Sequence, residues 1–253
     1  MYKKIISVSY ILAWQDVLLR YKRTKVGAFW LTFNISVMIT VLSFIFGSLL
    51  SQPASTFVPF IALGFIFWNF ITSTIDDSCE AYVSSGDIIL QINLPLSVHI
   101  YRVVIKNIII LLHNIIIIPL IYIIFGNGIN LTDFLFSILG FILISLNLTW
   151  ISFLVAIVCL RYRDLMVIIK NFMFVSFYFT PILWSIEMMP SQLNESFVML
   201  NPFYNLIDVV RTPLLSKSVN LSSYYYSVIL FLLGTITAYY FYKKYNNRVA
   251  YWI

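Results

Sequence analysis

The sequence predicts an all-α membrane protein with six transmembrane helices. Hydrophobic residues occupy 61% of the 253 positions and charged residues only 10%, and the mean hydropathy is +0.92. A soluble domain has about 45–50% apolar residues, so a soluble fold would leave much apolar surface in water. Lipid offers the backbone no hydrogen-bond partners, and apolar segments of about twenty residues therefore form helices.

Hydropathy also places the individual spans. The six apolar segments are Phe29–Leu50, Phe57–Ile75, Val103–Phe125, Phe134–Leu160, Ile168–Trp184 and Tyr224–Tyr242. The fourth is longer than a perpendicular span needs, so this helix is expected to tilt or to continue beyond the bilayer. The chain is interpreted as a single transmembrane domain (1–253), with an amphipathic interface segment over 1–28, six spans within 29–242 and a tail over 243–253.

The basic residues set the predicted orientation. Fourteen of the sixteen Lys and Arg residues precede the first span, lie near the links between spans two and three or four and five, or follow the last span. Basic segments stay on the cytoplasmic side of a membrane, so both termini are predicted to be cytoplasmic. The net charge of +6 therefore reflects topology. It favours anionic lipid headgroups and indicates no nucleic-acid partner.

The segment before the first span is predicted to be an amphipathic helix at the membrane interface. Apolar residues recur there at three- or four-residue steps: Ile6, Tyr10, Trp14, Val17 and Tyr21. Another face carries Ser9, Asp16, Arg20 and Arg23. The spacing of Asp16 and Arg20 suits a helical ion pair. Such a helix could anchor the protein at the membrane surface or dock a partner, since amphipathicity serves both.

The link between the second and third spans contains a candidate docking helix. Asp87 can cap a short helix that Pro95 helps to stop. Exposed Ile and Leu side chains on a helix without a core of its own favour a groove on another protein, and the alternative is a helix lying flat in the headgroups. The candidate docking residues are Asp87, Ile88, Leu90, Asn93, Leu94 and Pro95.

Arginines cluster at the predicted cytoplasmic face. Arg161 and Arg163 follow the fourth span, and Arg20 and Arg23 precede the first. Guanidinium groups in these positions can hold headgroup phosphates or an acidic partner residue. Interfacial anchoring is the simpler interpretation.

The link after the fifth span is predicted to form short re-entrant or interfacial helices. Pro181 is expected to kink or end the fifth span. In the outer link 185–223, Asn201 is expected to cap a helix whose first turn contains Pro202. Irregular backbone at membrane depth must be buried in protein or line a cavity, so this link is a candidate outer gate, with an ordinary surface loop as the alternative.

Aromatic and amide side chains in or near the spans are candidates to line a transport path. They are Trp30, Phe33, Asn34, Phe67, Trp68, Asn69, Tyr178 and Trp184. Sugars stack on aromatic rings through their C–H faces, although many of these rings are expected to face lipid. The span interiors are almost free of ionisable groups, His113 being the main exception. No Walker loop, zinc motif or dinucleotide fingerprint is present, so catalysis and a metal site are not predicted.

Short motifs occur in a characteristic order along the chain. They are Arg20–Trp30, Gly64–Phe70, Leu94–Leu96, Arg161–Leu165, Thr180–Pro181 and Asn201–Pro202. Together they resemble the permease subunits of polysaccharide-exporting ATP-binding-cassette transporters, most closely the lipopolysaccharide O-antigen exporters. The resemblance covers essentially the whole chain and agrees with six spans and cytoplasmic termini.

The resemblance implies a homodimer bound to two separate nucleotide-binding ATPase subunits. It implies that this chain binds no cofactor, with ATP and magnesium held by the partner subunit. The implied cargo is an undecaprenyl-pyrophosphate-linked polysaccharide that crosses the bacterial inner membrane. The candidate docking helix and the amphipathic helix would then contact the ATPases. Alternatives are a capsule or teichoic-acid permease, an exporter of drugs or lipids, an integral membrane glycosyl or acyl transferase, and a membrane scaffold.

Overall fold

A computed structural model describes residues 2–22, 29–92, 94–125, 128, 130–188 and 196–253. Within these ranges every regular element is helical. Five helical segments are long and apolar enough to cross a membrane: Phe29–Leu49, Ala54–Glu80, Ser97–Phe125, Leu131–Arg161 and Leu221–Trp252. These findings confirm the predicted all-α, multi-span fold.

The helices follow one another with short links. In chain order they are α1 (Tyr2–Tyr21), α2 (Phe29–Leu49), α3 (Ala54–Glu80), α4 (Gly86–Gln91), α5 (Ser97–Ile115), α6 (Ile117–Phe125), α7 (Leu131–Arg161), α8 (Leu165–Phe179), α9 (Ser196–Met199), α10 (Pro202–Leu214), α11 (Leu221–Tyr245) and α12 (Val249–Trp252). Two single-turn 3₁₀ helices lie at Ile186–Met188 and Asn246–Arg248.

The fifth predicted span, Ile168–Trp184, corresponds to the shorter helix α8. This helix has 15 residues, about 22 Å of axial length, and is shorter than the roughly 30 Å of a hydrocarbon core. It ends at Phe179, and the Thr180 N–H closes the last turn on the Ser176 carbonyl at 2.9 Å. Pro181 follows immediately, so it ends the helix rather than kinking it.

The third and fourth predicted spans are not single helices of bilayer length. The third predicted span is interrupted at Ile116, between α5 and α6. Pro119 lies in the first turn of α6, where its missing N–H costs no hydrogen bond. Helix α7 has 31 residues, about 46 Å at 1.5 Å per residue. The fourth predicted span is therefore longer than a bilayer core requires, as its apolar run indicated.

The buried core forms around α3 and α7. Fully buried side chains include Phe67 and Ile71 of α3, Ile144 and Leu148 of α7, and Leu206 of α10. We call the end of the bundle that carries the α2–α3 link the distal end, and the end that carries α4 and α12 the proximal end. A second cluster lies at the proximal end.

The proximal cluster includes a part of the chain that the sequence analysis assigned to a tail. Helix α11 continues to Tyr245, and α12 then packs Val249 into the cluster with 0% exposure. Tyr82 lies in the same cluster, and burial raises the pKa of its hydroxyl. The end of the chain is thus folded against the proximal ends of α5 and α7.

A helix, α1, forms in the segment before the first span, but most of the predicted apolar face does not pack against the protein. Ser9, Ala13 and Val17 are buried, whereas Ile6, Tyr10 and Trp14 are exposed. The Ser9 hydroxyl donates to the Val98 carbonyl of α5 at 3.1 Å. This contact places the face that the sequence marks as polar against α5, and leaves three apolar side chains on the outside.

Asp16 of α1 pairs with a residue of α5. The Arg102 guanidinium donates from Nε and Nη2 to the two carboxylate oxygens of Asp16, at 2.6 and 2.5 Å. Bidentate pairs of this kind are strong and fix geometry. The Asp16–Arg102 pair joins α1 to α5. The side chain of Arg20, the predicted local partner of Asp16, lies outside the described part of the chain.

Candidate functional site

One face of α3 is polar and partly exposed, although α3 is the most buried of the candidate spans. We call this face the α3 stripe, and its residues are Phe65, Asn69, Thr72, Ser73, Asp76 and Glu80. They recur every three or four residues and therefore lie on one side of the helix, over about 22 Å of its length. The intervening positions are buried, except Asp77.

The side chains of the stripe hydrogen-bond mainly within α3. The Thr72 hydroxyl donates to the Trp68 carbonyl at 3.0 Å, and the Ser73 hydroxyl lies 3.4 Å from Asn69 Oδ1. Their outer surface remains open in one copy of the chain. Lipid tails solvate polar groups poorly, so polar faces within membranes turn toward protein or a water-filled cavity.

Ion pairs bound the proximal end of the stripe. Glu80 accepts from Lys170 of α8 at 2.9 Å. On the adjoining face of α3, Asp77 accepts from Lys106 of α5 at 2.8 Å, and from the Asn107 amide at 2.7 Å. The stripe therefore lies between α5 and α8. Asp77 and Glu80 are thus both paired with basic groups of neighbouring helices.

Two predicted path residues on α3 are buried in a single copy of the chain. Phe67 is 2% exposed and Trp68 is 5% exposed. The Trp68 ring contacts Phe177 of α8 and Phe203 of α10, with ring centroids 5.8 and 5.5 Å apart. Trp68 thus joins α3, α8 and α10, while Asn69 lies in the stripe.

The other predicted path residues form two separate groups. Trp30, Phe33 and Asn34 lie on the exposed face of α2, where the first two rings stack at 5.4 Å. Tyr178 and Trp184 lie together near the end of α8, because the Trp184 indole donates to the Tyr178 carbonyl at 3.3 Å. Asn69, on the stripe, belongs to neither group.

The two proline motifs of the predicted outer region meet in the structure. The side chain of Asn201 caps α10 by accepting from the N–H groups of Phe203 and Tyr204. Its amide also donates to the Thr180 hydroxyl at 3.1 Å. The prediction that Asn201 caps a helix with Pro202 in its first turn is confirmed. The cap additionally ties α10 to the end of α8.

Helix α10 buries two charged side chains. Arg211 is 4% exposed, donates to the Pro181 carbonyl at 2.5 Å and lies 4.3 Å from the centroid of the Phe60 ring. Burial lowers the pKa of Arg211, while the carboxylate of Asp208 raises it. Together these contacts hold α10 against α3 and the segment that follows α8.

Asp208 is hydrogen-bonded within α10 and by residues at the start of α11. Its carboxylate accepts from Thr212 at 2.5 Å, from Ser223 at 2.7 Å and from the Asn220 amide at 3.1 Å. Asn220 and Ser223 lie at the start of α11, where Asn220 is the N-cap residue. Buried carboxylates are stabilised by such hydrogen bonds. Asp208 therefore fixes α10 relative to α11.

Helix α10 also packs closely on α7. Gly140 of α7 faces the backbone carbonyl of Val209, and a side-chain carbon at this glycine would collide with that carbonyl group. The Tyr224 hydroxyl donates to the Val209 carbonyl at 2.7 Å. Gly140 lies nine residues beyond the start of α7, which corresponds to about 13 Å along the axis. Helix α10 is thus inserted between the distal halves of longer helices.

The candidate docking helix forms as α4 and presents apolar side chains. Leu90 is 62% exposed and Ile92 is 53% exposed, while Ile88 is half-buried. Asp87 is exposed but lies in the first turn, with Ser85 at the N-cap, so the prediction that Asp87 caps this helix is wrong. Its carboxylate still suits the positive end of the helix dipole.

The remaining docking candidates flank α4. Leu94 and Pro95 are half-buried, and Asn93 lies outside the described residues. On the other side of α4, Ile89 packs against the proximal cluster. The helix is thus anchored through one face, and Leu90 with Ile92 project from it.

The predicted interfacial arginines have different surroundings. Arg161 lies over the Trp252 ring at 5.1 Å, so it also links α7 to α12. Arg163 is exposed. Arg20 belongs to α1, and Arg23 lies outside the described residues.

Four residues of these sites are not among the residues predicted from the sequence: Thr72, Ser73, Asp208 and Arg211. Thr72 and Ser73 continue the spacing of Asn69, Asp76 and Glu80, so a search for polar periodicity within spans would have found them. Asp208 and Arg211 are ionisable residues in an otherwise apolar stretch, which is the corresponding signal for α10. For both helices, only the structure shows which side packs against other helices.

The five long apolar helices define a multi-pass membrane protein. The chain belongs to the ABC-2 type transporter family, because the model of that family matches residues 8–215. Members of this family are membrane subunits that work with an ATPase subunit. The chain is therefore a transporter membrane subunit and not an enzyme.

Two relatives carry more specific descriptions. The chain is 26% identical over 227 residues to the O-antigen export system permease protein RfbA of Klebsiella pneumoniae, covering 88% of this chain and 84% of the relative. It is 22% identical over 192 residues to the O-antigen export system permease protein RfbA of Myxococcus xanthus, covering 74% of this chain and 72% of the relative. These matches agree with the resemblance found from the motifs.

Proposed function

We propose that this chain is the membrane subunit of an ATP-driven exporter of undecaprenyl-pyrophosphate-linked polysaccharide, with O-antigen as the cargo. Two copies form a channel across the bacterial inner membrane, and two ATPase subunits bind at the proximal end. The names of both relatives support the cargo. The separate ATPase subunits, which hold ATP and magnesium, follow from the family.

The observation that carries the proposal is the α3 stripe. The polar part of the stripe, Asn69 to Glu80, is about 16 Å long, and such a surface on a membrane-spanning helix needs a partner other than lipid. A second copy of the chain that faces the first across a water-filled space would shield the stripe from lipid. The space between the two copies would be the path for the polymer. Amides and hydroxyls hydrogen-bond to sugars without holding them as tightly as fixed charges would, so a long polymer can slide.

The path has aromatic residues near it. Trp30 and Phe33 on α2, and Tyr178 and Trp184 after the stripe, expose ring surface that can stack on sugar C–H faces. In the proposed dimer they extend the polar stripe with sliding contacts. Phe67 and Trp68 have a different role, since their burial supports the walls of the path.

We further propose six crossings with the proximal end in the cytoplasm. Helix α8 supplies the sixth crossing, and the segment Thr180–Trp184 completes its length. Both termini then lie in the cytoplasm, in agreement with the distribution of Lys and Arg. The α10 helix becomes a re-entrant helix entering from the outer side, and its contacts with α8 and α11 make it the candidate outer gate.

At the proximal end, α4 is proposed as the coupling helix. Leu90 and Ile92 would enter a groove on the ATPase, and closure of the ATPases would move α4. Ile89 and the proximal cluster connect α4 to the ends of α5, α7 and α12. Helix α1, held to α5 by Asp16 and Arg102, is proposed to lie at the cytoplasmic interface beside this site.

Removal of the protein tests the cargo. A strain lacking this chain is expected to lose surface O-antigen and to accumulate lipid-linked polymer on the cytoplasmic side. The measurement is surface glycan together with lipid-linked polymer from inner-membrane fractions. Absence of any polymer would instead indicate a biosynthetic enzyme. Loss of capsule or teichoic acid with normal O-antigen would assign the other cargo.

Substitutions in the stripe test the path. Complementation of that strain with an Asn69→Leu, Thr72→Leu variant is expected to slow export about tenfold, the equivalent of one or two lost hydrogen bonds to the cargo. Thr237→Leu is a matched control, because Thr237 is exposed on α11 and, like Thr72, donates to a carbonyl four residues earlier. Equal export by the two variants at equal protein levels would contradict the proposed path.

A further inference from the structure

A cleft of about 500 Å³ lies between α5, α7 and α11, with α1 at its edge. It is lined mainly by aromatic and aliphatic side chains, including Phe153 and Trp150 of α7 and Phe231 and Tyr242 of α11. None of its lining residues belongs to the α3 stripe, the α10 network or α4, and one of them, Pro95, is a docking candidate that flanks α4. Its volume falls in the range of small-molecule sites, roughly 300–1,000 Å³.

The cleft covers one half of the membrane thickness. Along α11 it extends from Phe231 to Tyr242, about 16 Å at 1.5 Å per residue. The hydrocarbon core of a bilayer is about 30 Å thick, so this length corresponds to one leaflet. Tyr242 and the first residues of α5 lie at the proximal end, which places the cleft in the proximal leaflet.

The wall of the cleft is held in a fixed shape. The Trp150 indole donates to Asn147 Oδ1 at 3.0 Å, and its ring sits directly against Gly234, where any side chain would overlap it. Phe153 contacts the rings of Tyr101 and Tyr242 edge-on, with centroids 5.8 and 5.3 Å apart. Small side chains, Thr149, Thr235 and Ala238, leave the space between these rings open.

Exposed lysines lie next to the proximal end of the cleft. Lys243 follows Tyr239 by four residues and so lies one turn further along the same side of α11, and Lys4 precedes Ile5 of the cleft edge. Lys244 instead lies over the Tyr245 ring at 5.3 Å. Acidic residues do not adjoin these positions in the sequence. Lysines at the surface of a leaflet attract anionic headgroups.

We propose that this cleft is a binding site for an anionic phospholipid of the proximal leaflet. One acyl chain lies along α11 between Tyr242 and Phe231, and the phosphate lies beside Lys4 and Lys243. The apolar lining, the single-leaflet length and the exposed lysines select this ligand together. A transported polymer would not fit, because the cleft ends at mid-depth. The site does not depend on the identity of the cargo.

Photolabelling of the full-length protein in lipid nanodiscs tests the site. The probe is phosphatidylglycerol with a diazirine at one of two acyl positions, and the labelled peptides are mapped by mass spectrometry. A diazirine near the chain terminus is expected to label the region of Leu146 and Phe231. One near the glycerol is expected to label the region of Tyr239 and Tyr242. Labelling that shows no such dependence on depth would overturn the proposal.

A substitution that fills the cleft provides a second test, with photolabelling of the cleft as the measurement. Thr235→Phe is expected to reduce labelling of the cleft about tenfold, because the new ring occupies the space of the acyl chain. Leu233→Phe is the matched control, since Leu233 is exposed on α11 outside the cleft. Thermal unfolding is measured for both variants, and labelling is compared once their unfolding temperatures are shown to match. Unchanged labelling in Thr235→Phe, or equal labelling by a zwitterionic phosphatidylcholine probe, contradicts an anionic phospholipid site. Stronger competition by a polyprenyl phosphate would reassign the cleft to the cargo lipid.

Discussion

A Leu90→Glu, Ile92→Glu variant is expected to lose copurification of the ATPase subunit and to reduce export to the level of the deletion strain. Both side chains are more than half exposed, so they contribute little to the fold of the isolated chain. In a groove on the ATPase, each would bring an unpaired carboxylate into an apolar site. The cost of that burial is several kcal/mol, enough to abolish a typical interface. Affinity purification with tagged ATPase measures the loss.

The control for this variant separates docking from folding. Leu221→Glu changes an equally exposed leucine at the distal end, on the first residue of α11. It is expected to leave ATPase binding intact. Thermal unfolding of both variants should match that of the parent chain. An intact complex and normal export with Leu90 and Ile92 replaced would show that α4 is not the docking site. Substitution of Leu94 is a weaker test, because its half-buried side chain also supports the local fold.

Gly140→Ala is expected to displace α10 and stop export, while the chain still inserts into the membrane. The new methyl group would meet the backbone carbonyl of Val209 and the side chain of Val210. Backbone cannot move aside as a flexible side chain can, so α7 and α10 must separate. Overpacking of this kind costs about 1–3 kcal/mol, and sometimes more. Amide hydrogen exchange over Pro202–Leu214 measures the release of α10.

Gly47→Ala is the matched control for Gly140→Ala. Gly47 is also within a candidate span, but its nearest neighbour is the Phe57 ring at 3.4 Å, an ordinary contact distance. Both substitutions gain the same intrinsic helix propensity, about 1 kcal/mol. A difference between them therefore reports the contact with α10 alone. If Gly140→Ala left hydrogen exchange and export unchanged, the close packing of α7 on α10 would not be needed for transport.

The positions of the long helices were predictable from the sequence because lipid imposes a simple requirement. A segment must be apolar for about twenty residues and must pair its own backbone groups, and both properties are local. Helices α2, α3, α7 and α11 accordingly overlap their predicted spans. The cap formed by Asn201 before Pro202 was predictable for the same reason, since it involves only neighbouring residues.

Predictions that required a choice between helix faces were less successful. The apolar residues Ile6, Tyr10 and Trp14 are exposed, whereas Ser9 is buried against α5. In a membrane protein an apolar side chain can face lipid as readily as protein, so hydropathy does not distinguish these two surfaces. The burial of Phe67 and Trp68, beside the partly exposed Asn69, could not be assigned for the same reason. The ion pair between Asp16 and Arg102 also joins residues that are far apart in the sequence, so no local pattern predicts it.

The sequence by itself determined that this protein is a bundle of membrane helices, and its motifs pointed to the exporter family. Local apolarity, turn residues and the distribution of basic charge carry that information. Only the tertiary structure decided that α10 lies inside the bundle through Arg211 and Asp208, that α4 exposes Leu90, and that a lipid-sized cleft lies beside Trp150. These features depend on contacts between residues far apart in the chain, where packing and buried hydrogen bonds select one arrangement among many.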